Sequence, residues 1–367
     1  MNIESIVKEE YSKVLSNSSE YLANEYQGLC TAEKYDKELL KKIPKVILDN
    51  DFGCGNPSSY VRQGDAVLDL GSGSGKICYI LSQIVGPAGK VFGIDVNPDM
   101  LALSRGQQEA FAEVLGFDNM QFCHASIADM KTDLDKVEAL LARSSIDSLE
   151  KFQAFERRKN EIFDANPLIP DGSIDVVVSN CVINLVRTTE KVNVFSEMFR
   201  ILRCGGRIAI SDNISNVEVP LHLQNDAQLW TACYSGVFQE QKLYKALEAA
   251  GFEGIRIEIR NDDPAKVVGE VEFRAVTVTA VKPFAASAND SRSHEVMYRG
   301  PWLEVVDENG VRLRRGEVTL VSTQSTAKFK AEVYGPEVLL LGGEGVAAEA
   351  SCCAPAPSAA SGAACCA

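Results

Sequence analysis

The sequence predicts an α/β fold in which a mostly parallel sheet is covered by helices on both faces. Three observations carry that prediction. Strand-like and helix-like patterns alternate from residue 66 to residue 281. A glycine-rich turn, GSGSGK at 71–76, joins the first strand to the first helix of that series. The last two strand-like runs alternate apolar and polar residues, as an antiparallel pair at a sheet edge would.

The elements follow in order. AVLDL (66–70) is the first strand, apolar except for Asp69, and a helix over 75–85 follows the glycine turn. KVFGIDV (90–96) is the second strand and leads to a helix over 99–115. MQFCHA (120–125) and IDVVVSN (174–180) are the third and fourth strands, followed by a helix over 190–203. GRIAISD (206–212) is the fifth, and a helix over 239–250 precedes IRIEIR (255–260) and RAVTVTAV (274–281). Seven strands closing in an antiparallel pair match the Rossmann-like sheet of class I methyltransferases rather than a dehydrogenase sheet.

Around this core the expected organisation has four parts. Residues 1–64 form a helical cap that carries Cys30 and Cys54, and 65–284 form the methyltransferase-like domain. Two insertions interrupt that domain, a charged helical one at 131–167 and a loop at 214–238 that carries Cys233. The first insertion either alters substrate access or packs on the sheet edge, and its apolar stripes favour packing. Residues 285–335 read as a small β-rich unit with a turn at Glu308–Gly310, and 336–367, rich in Ala, Ser and Pro, as a flexible tail.

Composition narrows the function. The formal net charge of -14 argues against sequence-blind nucleic-acid binding, which needs clustered Lys and Arg. No apolar run approaches the roughly 18 residues of a membrane span. The first residues, MNIESIVKEEYSKVLSN, are amphipathic and charged, unlike a secretory signal. A cytoplasmic protein with reduced thiols is therefore expected.

VLDLGSGSGK (67–76) is a strand, a turn and a helix start, and its glycines let backbone approach a ligand closely. Asp69 before the turn, and Asp95 ending the second strand, are placed for the two ends of an S-adenosylmethionine molecule. Asp95 can accept hydrogen bonds from both ribose hydroxyls. Asp129 stands where a group could meet the adenine amino group, or where a loop carboxylate is merely solvated. The expected cofactor set is Asp69, Gly71, Ser72, Gly73, Gly75, Asp95, Val96, Ile127, Asp129 and Asn180.

Eleven cysteines make no complete disulfide framework. Cys78, in a helix, and Cys123, in a strand, read as small core residues. Cys181 follows the fourth strand, Cys233 follows the fifth, and Cys54 lies between two glycines before the first. In an open α/β sheet ligands collect outside the carboxyl ends of the strands, so these three thiols can converge there. Soft sulfur suits a soft centre such as trivalent arsenic, and three sulfurs would leave its lone pair free. Zinc is the competing occupant, although no paired CxxC spacing supports it. Two vicinal pairs, Cys352–Cys353 and Cys365–Cys366, stand in the tail. An organic acceptor would need a general base, for which His124 is the one strand-end histidine. A non-enzymatic arsenic sensor or sink is the other rival.

With FGCG (52–55), VLDLGSGSGK (67–76), VVVSNCVINLV (176–186) and LWTACYSGVFQE (229–240), the chain resembles the arsenite methyltransferases, in particular the longer bacterial form associated with arsenosugar biosynthesis. The resemblance implies As(III), as arsenite or its thiol conjugate, held by Cys54, Cys181 and Cys233 and methylated from S-adenosylmethionine. It also implies a transient disulfide between Cys30 and Cys54, reset by glutathione or a thioredoxin-like reductant. The 131–167 insertion departs from the family's shorter connection and leaves the number of methyl groups added open.

Overall fold

The computed structural model describes residues 35–50, 53–284, 293–330 and 336–346. The chain divides into two compact units between Pro283 and Phe284. In the first, helices α1 (Lys37–Lys41) and α2 (Lys45–Leu48) and a 3-10 turn at Pro57–Tyr60 precede the sheet. β1 (Ala66–Leu70) leads to α3 (Lys76–Val85), and β2 (Lys90–Asp95) to α4 (Pro98–Gly106) and α5 (Gln108–Leu115). β3 (Met120–His124) precedes α6 (Leu134–Leu141) and α7 (Leu149–Ala165). β4 (Ile174–Asn180) precedes α8 (Lys191–Ile201), and β5 (Leu202–Ser215) precedes α9 (Leu221–Gln224) and α10 (Ala227–Thr231). Then come β6 (Phe238–Gln239), α11 (Glu240–Ala249), β7 (Glu253–Arg260), β8 (Lys266–Val268) and β9 (Val271–Val281).

The main sheet runs β3-β2-β1-β4-β5-β9-β7, with β6 beside β5 and β8 beside β9. β1 to β5 are parallel, and β9 is antiparallel to both β5 and β7. The closing antiparallel pair is thus present, with β7 rather than the last strand at the edge. Strand order reverses between β1 and β4. The crevice at their carboxyl ends is where such sheets bind ligands.

Both faces of the sheet are packed. Val67 and Val91 belong to one core, and Leu68 and Ile94 to the other, because successive strand residues point to opposite sides. Val176, Val177 and Val178 in central β4 have no exposed surface, which is why that strand reads as a continuous apolar run. Cys78 and Cys123 fill core positions, and burial pushes the Cys123 thiol up to about 11, so neither supplies a thiolate near neutral pH.

Two expectations change. The helices of the 131–167 insertion turn much of their apolar surface outward: Leu141, Leu149 and Phe152 are exposed, and Phe163 alone of the two helices is buried. Amphipathic spacing predicted the helices, but it did not determine what covers their stripes. The β-rich unit also runs past 335. Val338–Val346 forms β14, which pairs antiparallel with β10 (Ser293–Tyr298), and β10 pairs in turn with β13 (Val318–Ser322). The apolar run VLLL supplies that strand, so the boundary expected at 335 is not one. The predicted turn at 308–310 does link a hairpin, β11 (Glu304–Val306) to β12 (Arg312–Arg314), with the Asp307 carboxylate accepting the Asn309 and Val311 amides. α12 (Thr323–Lys330) completes this unit. Cys30, the N-terminal amphipathic stretch and the tail cysteine pairs lie outside the described residues.

Candidate active site

A cavity of about 480 Å³ opens at the carboxyl ends of β1, β2 and β4. That volume suits a nucleoside-sized ligand. Asp69, Gly71, Ser72, Gly73, Asp95, Val96, Ile127 and Asn180 of the predicted set line it. Gly75 and Asp129 are not among the lining residues. Gly75 opens α3 against Phe122 and Ser104, and the Asp129 carboxylate accepts the backbone amides of Lys131 and Thr132 at 3.2 Å. Lys76 and Asn97 line the cavity and were not predicted.

The glycine turn is shaped to receive a ligand. Gly71 has φ +63°, and a Cβ there would sit 2.4 Å from Val182 Cγ1. Gly73 also has positive φ, and its amide donates to Asp95 Oδ2 at 2.8 Å. The other Asp95 oxygen accepts from Asn97 N at 2.8 Å, which fixes the carboxylate at the cavity wall. Burial raises the Asp95 pKa, and the surrounding backbone amides oppose that shift. The Ser72 hydroxyl lines the same wall, buried and without a hydrogen-bond partner among the described residues. An orphaned buried hydroxyl, the Asp95 carboxylate and a glycine cradle within a largely apolar lining fit an adenosyl ligand.

Beside this cavity the three predicted thiols meet. Cys54, Cys181 and Cys233 form one buried cluster with Leu185 against it, and Cys181 also lines the cavity. Cys54 and Cys181 are joined as a disulfide with Cα atoms 5.9 Å apart. The bridge that family resemblance implied for Cys54 ran to Cys30, which lies outside the described residues; here Cys54 is bonded to Cys181. The Cys233 thiol donates to Cys181 O at 3.1 Å. Cys181 and Cys233 hold φ of 59° and 61°, the left-handed region that side chains with a Cβ seldom occupy. For Cys181 the bond from its amide to Ser211 O, 2.8 Å, ties this conformation to β5.

Asp212, which ends the predicted fifth strand, was assigned no role by sequence reasoning. One of its carboxylate oxygens and the sulfurs of Cys54 and Cys181 all lie within 4.8 Å of one another. Asp212 is buried; Oδ1 accepts from Asn184 Nδ2 at 2.6 Å, while Oδ2 has no partner among the described residues. Lys191, also buried, donates to Gly236 O in the Cys233 loop and lies over the Phe238 ring. Burial raises the Asp212 pKa and lowers that of Lys191, and the opposite charges partly offset both shifts. The usable signal was position: a carboxylate leaving a strand at the same edge as the thiols. His124 takes no part, because its ring nitrogens are held by Asp135 and by Val96 O, at 2.9 and 3.3 Å.

The sheet order, the glycine cradle and the acidic end of β2 define a class I S-adenosylmethionine-dependent methyltransferase. A family profile described as a methyltransferase domain matches residues 62–162 and 141–251, and one described as a domain of unknown function matches 286–360. The arsenite methyltransferase of Aquipseudomonas alcaligenes is 30% identical over 301 residues, 80% of this chain and 77% of that protein. The arsenite methyltransferase of Mus musculus is 28% identical over 350 residues, 91% of this chain and 82% of that one. The crystal structure of an arsenic(III) S-adenosylmethionine methyltransferase from Chlamydomonas reinhardtii matches the fold with a TM-score of 0.57. It is 24% identical, over 85% of this chain and 96% of that chain. The chain belongs to the arsenite methyltransferase family.

Proposed function

We propose that this enzyme methylates As(III) from S-adenosylmethionine, with Cys54, Cys181 and Cys233 holding the metalloid. The observation that carries the reading is the thiol cluster itself: three cysteines from three separate segments are buried together beside the cofactor cavity. Residue types agree with the task. Each thiol replaces one hydroxyl of As(OH)₃, forming an As–S bond and releasing water, and three such exchanges leave arsenic pyramidal with its lone pair free.

When bound, S-adenosylmethionine supplies an electrophilic methyl group, for which the arsenic lone pair is the nucleophile. That lone pair needs no deprotonation, so the residues around it need only bind, orient and exclude water. Asp95 and the amide-rich glycine turn would hold the nucleoside, with Ser72 offering its free hydroxyl. Cys181, which belongs to both cavity and cluster, sets the metalloid next to that ligand.

With Cys54 and Cys181 bridged, only Cys233 of the trio stays outside a disulfide. Turnover therefore requires a thiol reductant: two glutathione molecules, or one thioredoxin-like dithiol, take up the oxidation and leave two protein thiols. Such a supply fits a cytoplasmic enzyme. No helix of the described residues is long and apolar enough to cross a membrane. Cys30 is proposed as the exchange partner that passes the disulfide outward from Cys54.

The test is an assay of reduced protein with S-adenosylmethionine and arsenite, with arsenic species resolved by chromatography and elemental detection. Mono- or dimethylated arsenic is expected. Arsenite bound tightly but never methylated would instead favour a sensor or sink.

A further inference from the structure

We propose that Asn180 is a positioning residue of the arsenic site, a clasp that holds Cys54 against Cys181. The inference deepens the three-thiol reading above and rests on it. Cys54 lies in a loop far from Cys181 in sequence, and it must be brought onto the end of β4 by something other than local structure.

Asn180 is the last residue of β4, directly before Cys181. Its Oδ1 accepts two backbone amides of the loop, Cys54 N at 2.9 Å and Gly55 N at 3.0 Å. Its Nδ2 donates to Gly55 O at 3.0 Å and to the Tyr35 hydroxyl at 3.2 Å. The Tyr35 hydroxyl donates in turn to the same Gly55 carbonyl, at 2.7 Å. One carboxamide therefore satisfies both amides and, with Tyr35, the carbonyl of a loop that makes no strand pairing among the described residues. Buried backbone groups left without partners would be costly, so the clasp is a strong constraint.

The glycines on either side of Cys54 follow from the same contact. A Cβ on Gly53 would lie 2.1 Å from Asn180 Nδ2, and one on Gly55 would lie 2.4 Å from Ser211 Cβ. The structure assigns them to close approach: the loop presses onto the ends of β4 and β5, and only glycine fits on either side of the thiol.

Asn180 and Gly53 also line the cofactor cavity. The residue expected from sequence to serve the cofactor alone thus touches both sites, and it hands the order of the cavity wall on to the third arsenic ligand. Losing the clasp should free Cys54 while Cys181 and Cys233, fixed by their own segments, keep the metalloid.

The test is arsenic X-ray absorption on the reduced, full-length protein loaded with arsenite alone. The wild type is expected to show three As–S bonds. Asn180→Ala is expected to show two sulfurs and one oxygen, like Cys54→Ser, with arsenite affinity lowered about tenfold. It should also raise the rate of Cys54 alkylation at least tenfold while that of Cys233 holds. Tyr35→Phe, which keeps the carboxamide, is expected to raise Cys54 alkylation about threefold, and it carries the test should Asn180→Ala fail to fold by circular dichroism. Three sulfurs and unchanged Cys54 alkylation in a folded Asn180→Ala protein would overturn the clasp, as would wild-type alkylation in Tyr35→Phe if that variant stands alone. A change confined to S-adenosylmethionine affinity would overturn it too. Fewer than three sulfurs in the wild type would instead remove the three-thiol reading on which the clasp rests.

Discussion

Cys181 and Cys233 occupy backbone conformations that cost of order 1–3 kcal/mol for residues with a Cβ, and both lie in the thiol cluster. Near them lie Lys191 and Asp212, both buried and of opposite charge. Their opposite charges offset each other across the interior without a direct ion pair, so replacing either alone, by Lys191→Met or Asp212→Asn, is expected to destabilise the fold by about 1–3 kcal/mol. The double variant should recover most of that loss in denaturant titrations. The pH dependence follows from the directions of the shifts. The folded protein keeps the Asp212 proton to a higher pH than the unfolded chain does, so stability falls between the ordinary aspartate value and the raised one. Lys191 deprotonates early in the fold, so stability rises between its lowered value and the ordinary lysine range. Both slopes should vanish in the double variant. At the cofactor wall, Gly71→Ala would drive its Cβ into Val182 at 2.4 Å, and calorimetry should show at least a tenfold loss of S-adenosylmethionine affinity.

Among elements, the helical insertion separates spacing from burial. Leu149 and Phe152 stand out in solvent at 72% and 49% exposure, whereas Phe163 is buried. Changing the first two to Gln is expected to leave unfolding free energy within about 0.5 kcal/mol of wild type. Phe163→Ala should cost about 3–5 kcal/mol. The strands and helices themselves were legible in the sequence because each carries its own period. α4 and α5 were read as one helix, since the pattern continues across Gly106 and only the poor helix propensity of glycine marks the break. β14 was missed because its short apolar run, VLLL, has no period of its own to mark it as a strand. The partner of β14 is β10, roughly forty residues upstream, and such pairing is not written in local periodicity.

For the whole molecule, the site was legible where chemistry and topology coincide. Cys181 and Cys233 could be placed at one sheet edge because the carboxyl ends of parallel strands face one way. The glycine cradle and Asp95 follow from the same rule. What could not be read were the contacts that close across the fold: the Cys54–Cys181 bond, the Asn180 clasp and the approach of Asp212 to the sulfurs. Each joins segments whose separation in sequence carries no pattern. The two units have separate hydrophobic cores, Leu247 and Val278 belonging to one and Val296 and Val321 to the other. Truncation after Pro283 is therefore expected to leave S-adenosylmethionine affinity within about twofold of the full chain, by calorimetry.

The central claim, that arsenic is methylated while held by these thiols, is tested most directly on Cys181→Ser. Arsenic methylation and S-adenosylmethionine affinity should be measured side by side on that variant and on the reduced wild type. The account predicts methylated arsenic from the wild type, none from the variant, and cofactor affinities within about twofold of each other. Methylation surviving in Cys181→Ser, or lost only together with cofactor binding, would contradict it.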